Sequence, residues 1–380
     1  MKAKFGRAEK KARFAVSLVV TLSLTLLSAC RLDNSGKEPI RIGAILPLSG
    51  DGAQYGTNDR EGILLAVKLA NMHGGVRGRQ VEVSFEDSRV DAKLAVDGFE
   101  RLRAQGVEVF IDDAVSTLSL ALVPVLEKNH AVLVSTGAST PALSGSSPNF
   151  FRVWNSDAFE GSVAATYVRT LPSPQRIAVA HINNDYGKGL LAVFSGSLTD
   201  STKAAIIAES FEPDARDFRP VVLRIRDAHP TLIYLIGYAA QTGRFARQLR
   251  ELGITAPILG TVAMEDPEFL RLAGRASDGV AYPFPSAPSG SSTEAFREAF
   301  RNEYRKEPGL LHDVGFDAAN LILKAMSDSG PSGTSVRAAL HAIRDYSGAS
   351  GEISFDDRGD VHKPMRMKRI MGGHFEWLPQ

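Results

Sequence analysis

A single cysteine among 380 residues rules out an internal disulfide and a cysteine-rich zinc site. Charge of one sign is missing as well. The chain carries 44 basic against 43 acidic residues, a net charge of +1, so there is no electrostatic reason to expect a nucleic-acid partner. Catalytic and nucleotide-binding signatures are absent. No G-x-S-x-G elbow occurs, and Gly348-Ala349-Ser350-Gly351 resembles one only superficially. No G-x-G-x-x-G follows a strand-like run, and neither a phosphate-cradling G-x-x-x-x-G-K-[ST] nor an H-E-x-x-H is found. The eight histidines are scattered and are expected at the surface or at helix caps rather than around a metal. What remains is an ordinary globular composition, 44% hydrophobic and 23% charged. It excludes a disordered chain and a multipass membrane protein, and the length predicts two domains.

The N-terminus differs from the rest. Lys2, Lys4, Arg7, Lys10, Lys11 and Arg13 precede an uncharged run of 14 residues, Phe14 to Leu27. That is short of the about 20 needed to span a bilayer but fits the core of an export signal. Leu27-Ser28-Ala29-Cys30 resembles the lipobox of bacterial lipoproteins. The resemblance implies cleavage after residue 29 and a lipidated Cys30 that ties the mature chain to the membrane. An ordinary signal with an incidental cysteine, or a cysteine in the core, is the alternative. Residues 1–29 hold six of the basic residues and one acid, so the remainder has 38 against 42, a net charge of −4. Residues 30–38, mostly polar with Gly36 and followed by Pro39, read as a tether.

From Ile40 onward short apolar runs alternate with amphipathic segments. The strand-like stretches are Ile40–Leu46, Val81–Phe85, Val107–Ile111 and Ala131–Val134; the intervening helix-like stretches are Asp59–Asn71, Asp91–Gln105 and Ser119–Lys128. The rhythm restarts at Arg176 and continues to Phe284. It predicts an α/β protein of two doubly wound parallel-sheet units. Pro285 to Thr293 reads as a linker, and helices and two closing strands follow. The basic run Lys363 to Arg369 reads as the solvated face of a strand.

Open parallel sheets bind ligands at the carboxyl ends of their strands. Here those loops are Pro47 to Tyr55, Asp112 to Thr117, Ser135 to Thr140, Asn183 to Gly187, Gly237 to Gln241 and Gly260 to Asp266. They are rich in Gly, Ser, Thr and Tyr, which suits capture of a small polar or zwitterionic molecule.

The same loops carry a family resemblance. Leu46-Pro-Leu-Ser-Gly-Asp-Gly-Ala-Gln-Tyr-Gly56 with Gly62, Asn71-Met-His-Gly-Gly-Val-Arg-Gly-Arg79, Val134-Ser-Thr-Gly-Ala-Ser-Thr-Pro-Ala-Leu143, Asn183-Asn-Asp-Tyr-Gly187, Ile236-Gly-Tyr238 and Gly351-Glu-Ile-Ser-Phe-Asp-Asp-Arg-Gly-Asp360 occur in order over the whole mature chain. Together they resemble the leucine/isoleucine/valine-binding proteins, type I periplasmic solute-binding proteins of ABC transporters. The resemblance implies two doubly wound lobes joined by three crossovers, with lobe 1 at 39–156 plus 285–356 and lobe 2 at 157–284 plus 357–380. It implies a solute held in the cleft between them and handed to an ABC permease. Ser116 and Ser139 match the hydroxyls that fix a ligand carboxylate, with Gly137 and Ala138 where backbone groups face the ligand. Both serines could equally be helix N-caps. Tyr55, Tyr186 and Tyr238 match side-chain or lid positions, although the last two also read as tyrosines at the edge of the core, and Asp157 falls at the first crossover.

One position departs from the family. Amino-acid-binding members place an acid for the ligand ammonium in the loop after a lobe 2 strand, where this chain has Val262. An ammonium buried without an anion costs several kcal/mol, so either the ligand lacks it or another carboxylate serves. Glu265 and Asp266 are near in sequence, although Asp266 before Pro267 reads as a helix N-cap. Asp112 and Asp113 are further candidates, with a solvated turn as their plainer reading. The expected function is binding of an amino acid or a related small amphipathic solute for an ABC importer, without a cofactor or metal. A ligand-sensing receptor of the same fold, for a small amide or carboxylate, is one alternative. An exported hydrolase is another, for which no nucleophile, base or metal set is found.

Overall fold

The computed structural model describes residues 38–50, 52–172, 176–198, 206–286 and 290–379. The expected signal, Cys30 and all but the last residue of the tether lie outside them.

The first layer begins with β1 (Ile40–Leu46), an apolar run buried on nearly every residue, as a central parallel strand covered on both faces must be. It continues through α1 (Ala53–Met72), β2 (Val81–Asp87), α2 (Ala92–Ala104), β3 (Val109–Asp112), α3 (Ser116–Lys128), β4 (Val132–Ser135) and β5 (Phe150–Arg152). The strands form one parallel sheet in the order β2-β1-β3-β4-β5. Asp91, in extended conformation, caps α2 by accepting a hydrogen bond from the Leu94 amide.

The chain then crosses to a second sheet built from α4 (Asp157–Thr170), β6 (Ile177–Ile182), α5 (Asp185–Gly196), β7 (Ile206–Phe211), α6 (Arg219–Asp227), β8 (Leu232–Ile236), α7 (Ala239–Glu251), β9 (Ile258–Leu259), α8 (Pro267–Ala273) and β10 (Ala281–Pro285). It returns to the first layer with α9 (Ser291–Tyr304), α10 (His312–Ser329), α11 (Gly333–His341) and the hairpin of β11 (Tyr346–Gly348) and β12 (Gly351–Ile353). A third crossing leads to β13 (Met365–Met371) and β14 (His374–Trp377). The second sheet is therefore ordered β14-β13-β10-β9-β8-β6-β7, parallel except where β13 pairs with β10 and β14 with β13.

What draws the late helices back to the first sheet is the crossing of α1 with α10. A Cβ at Gly62 would stand 2.2 Å from the His312 carbonyl oxygen, and one at Gly315 would stand 2.8 Å from the Asp59 carbonyl oxygen. Only glycine lets the two backbones approach so closely.

The structure corrects two surface expectations. Lys363 and Lys368 are buried rather than solvated. The Lys363 ammonium donates to Ser350 Oγ at 2.6 Å, beside the buried Asp317, and Lys368 pairs with Glu265 at 2.5 Å. Likewise His312 is buried at the start of α10, its Nε2 2.9 Å from a Glu61 carboxylate oxygen. In each case a polar group is tolerated inside because it has a charged or hydrogen-bonding partner. No helix among the described residues is long and apolar enough to cross a membrane.

Candidate functional site

Residues just beyond the strand ends of both sheets meet around one cavity. Its lining comprises Tyr55 after β1, Ala114 after β3, Gly137 and Ser139 after β4, Trp154 after β5, Tyr186 after β6, Tyr238 after β8, Val262 and Ala263 after β9, and Leu310 and Leu311 before α10. The space within it is small, about 40 Å³, enough to admit a water-sized group.

The polar side of the cavity is a loop held from behind. Ser116 Oγ accepts from the amides of Ser139 and Thr140 at 3.2 and 3.1 Å. Ser135 Oγ accepts from the Ala138 amide at 3.2 Å and donates to the Asp113 carbonyl at 2.8 Å. Arg152 Nη1 donates to the carbonyls of Ala138 and Thr140. Gly137 packs so tightly on Ala114 that a Cβ there would fall 2.6 Å from the Ala114 Cβ. The backbone is thus fixed before any ligand arrives, which removes part of the ordering cost of binding.

The opposite wall is aromatic. Tyr186 and Tyr238 stack with centroids 5.5 Å apart, and Tyr55 meets Tyr238 edge-on at 6.0 Å. The Tyr55 hydroxyl accepts from the Ala239 amide at 3.1 Å, and Thr117 Oγ1 donates to Asp185 at 2.9 Å. These contacts join a helix following the first sheet to one following the second.

Of the residues singled out from the sequence, Tyr55, Gly137, Ser139, Tyr186, Tyr238 and Val262 line this cavity. Ser116 and Ala138 stand behind it as supports. Asp157 lies beneath, its amide donating to the Ser139 carbonyl at 2.7 Å, and its carboxyl is pushed up to about 7 by burial, partly offset by the Ser139 hydroxyl and by Arg152. Glu265 is turned elsewhere, bonded to Lys368 and Tyr282 at 2.5 Å each. Asp266 caps α8 through the Glu268 amide. The solvated-turn reading of Asp112 and Asp113 fails, because both are fully buried. Asp112 accepts from Ser119 Oγ at 2.6 Å and Asp113 from the Val115 amide at 3.0 Å. Burial pushes them up to about 7 and about 8.

Sequence reasoning missed Trp154, Leu310 and Leu311. Trp154 follows β5, whose Phe-Phe-Arg-Val-Trp run was a legible apolar segment. Leu310 and Leu311 enter from the connection between α9 and α10, and no periodicity announces that. Glu160, on the first turn of α4, was missed too. It is buried and accepts from the Val262 amide at 3.1 Å.

Residues 39–374 match the sequence profile of the family described as periplasmic binding protein. The chain belongs to the periplasmic binding protein family. Among curated relatives, this periplasmic binding protein is 26% identical over 354 residues to Leu/Ile/Val-binding protein homolog 3 of Brucella melitensis, covering 92% of this chain and 96% of that one. Among solved structures, a leucine-binding protein of Thermotoga maritima superposes with a TM-score of 0.82 at 26% identity, over 90% of this chain and 98% of that one. A branched-chain amino acid transporter substrate-binding protein of Streptococcus pneumoniae, in complex with isoleucine, gives a TM-score of 0.81 at 25% identity over 90% and 99%. The fold is the type I periplasmic binding protein fold, and the family consists of solute-binding proteins rather than enzymes. A cavity of fixed donors and aromatic walls is the equipment such a protein needs.

Proposed function

We propose that this periplasmic binding protein captures an amino acid with an aliphatic side chain between its two lobes and delivers it, chemically unchanged, to an ABC permease. The observation that carries the reading is the two-sided cavity. A braced serine loop can hold a carboxylate through neutral donors, each charge-assisted hydrogen bond contributing about 1.5 to 3 kcal/mol. Facing it, Trp154, Leu310, Leu311, Val262 and the tyrosines can cover an apolar side chain. The relatives named for leucine, isoleucine and valine support the same solute class.

In this reading lobe 1 comprises 39–156 plus 285–356 and lobe 2 comprises 157–284 plus 357–380, with Ser139 as the carboxylate donor and Tyr55, Tyr186 and Tyr238 as the closing wall. Cys30 carries a lipid that keeps the mature protein at the membrane beside its permease. Isothermal titration and thermal shift of the mature protein with L-leucine, L-isoleucine and L-valine test the solute. At 100 times its dissociation constant, a true ligand adds about 2.7 kcal/mol of stability. No shift with any amino acid would overturn the reading.

A further inference from the structure

A second cavity lies beside the first and is larger, about 490 Å³, within the range of small-molecule sites. Trp154 and Leu310 line both. All three crossings between the two sheets reach it, through Trp154 in the first, Pro285 and Ser286 in the second and Lys363 in the third. Its apolar walls are the rings of Trp154, Phe284, Phe296, Phe375 and Trp377. The Phe284 ring stands 6.1 Å from Trp154 and 6.5 Å from Trp377, centroid to centroid.

One polar group in this wall has unused capacity. Lys363 is 5% exposed, and among the described residues its ammonium makes one hydrogen bond, to Ser350 Oγ at 2.6 Å. An ammonium carries three donors, so two are left over at the cavity, where burial makes them costly. Asp313 lines the same cavity. Its carboxylate accepts from the Val314 amide at 2.9 Å and acts on Lys363 through its charge. The other charges there are taken, Lys368 by Glu265 at 2.5 Å and Arg297 by Glu294 at 3.5 Å.

We infer that this cavity is a second ligand site, distinct from the solute cavity, and that it takes a small uncharged aromatic primary amide. The ring lies among the five aromatic side chains, the amide oxygen accepts from the Lys363 ammonium, and the amide nitrogen donates to Asp313. Charge decides the class. A carboxylate beside Lys363 would be a third anion next to Asp313 and Asp317, both of which already act on that ammonium. An aromatic amine would bring a second cation to Lys363. An amide supplies an acceptor and a donor at one end without altering the charge, and its ring can pack edge-on or offset against the aromatic walls.

The two tryptophans of the chain, Trp154 and Trp377, make the site readable. Trp377 lines this cavity and not the first, and in Trp154→Phe it is the only indole left. Benzamide should change the fluorescence of that variant saturably, and benzoate and benzylamine, of similar size, should bind at least tenfold more weakly. Isothermal titration of the wild type with the same three compounds should give the same order, and that comparison needs no variant. Lys363→Met keeps the buried stem, removes the donors and should weaken benzamide at least tenfold. Benzamide bound by Lys363→Met within threefold of the wild type would overturn the inference. So would benzoate or benzylamine binding as tightly as benzamide, or no saturable response to benzamide. None of these readings involves an amino acid, so the solute proposed above stands or falls separately.

Discussion

Arg152 Nε lies 2.7 Å from Asp360 Oδ1, with the guanidinium fully buried and the carboxylate nearly so. The pair joins β5 to the segment leading into the third crossing, 208 residues away, and the same guanidinium holds the carbonyls of Ala138 and Thr140. Asp360→Asn leaves an uncompensated buried cation, which costs about 3 to 5 kcal/mol. Denaturant unfolding should show that loss in the ligand-free protein. A change under 1 kcal/mol would mean that Arg152 is stabilised by its carbonyl partners alone.

Ser116 and Ser139 should separate in their effects. Ser139→Ala removes the hydroxyl of a residue that lines the cavity and that bonds the buried Asp157 carboxyl; it should weaken amino-acid binding more than tenfold with a smaller loss of melting temperature than Ser116→Ala. Ser116→Ala removes the acceptor of two buried amides, each costing about 1 to 3 kcal/mol when left unpaired, and should lower the melting temperature as well. Identical behaviour of the two variants in thermal melts would contradict this division.

The buried pair Asp112 and Asp113 sets a pH dependence of stability. Their folded values of about 7 and about 8 lie above the about 3.9 of an unfolded aspartate. The folded state therefore holds more protons between about pH 4 and 8, and this pair makes stability fall as pH rises through that window. Asp113→Asn keeps an acceptor for the Val115 amide and removes the charge. Its melting temperature should exceed the wild type's at pH 8 and match it more closely at pH 5; a constant difference at both would count against the assignment.

Closure should depend on Tyr55. Replacing it with Phe leaves the Ala239 amide without the acceptor it meets at 3.1 Å. A loss of about 0.5 to 1.5 kcal/mol predicts a several-fold weaker amino-acid affinity, read by titration.

The anchor is tested in cells. Cys30→Ser should move the protein from the membrane fraction to the soluble fraction or leave an uncleaved precursor. Continued incorporation of labelled fatty acid would refute lipidation.

Strands with unbroken apolar runs and the loops after them were legible in the sequence, because a parallel sheet covered on both faces demands such runs and leaves its carboxyl ends free. That sufficed for the α/β architecture and for the loops that hold Tyr55, Gly137, Ser139, Tyr186, Tyr238 and Val262; that these residues share one site was implied by the family resemblance. The return of α9 and α10 to the first layer was not legible from periodicity, since it depends on the glycine-mediated contact of two helices some 250 residues apart. Leu310 and Leu311 joined the site by the same folding back. The tertiary structure also decided the fate of the charged residues. Lys363, Lys368, Asp112 and Asp113 carry no sequence mark distinguishing them from surface charges, and only packing and available partners put them inside. The same is true of Glu160. In sequence it is an acid in the first turn of a helix, 102 residues from Val262, and only the packing of α4 against the loop after β9 brings its carboxylate to the Val262 amide.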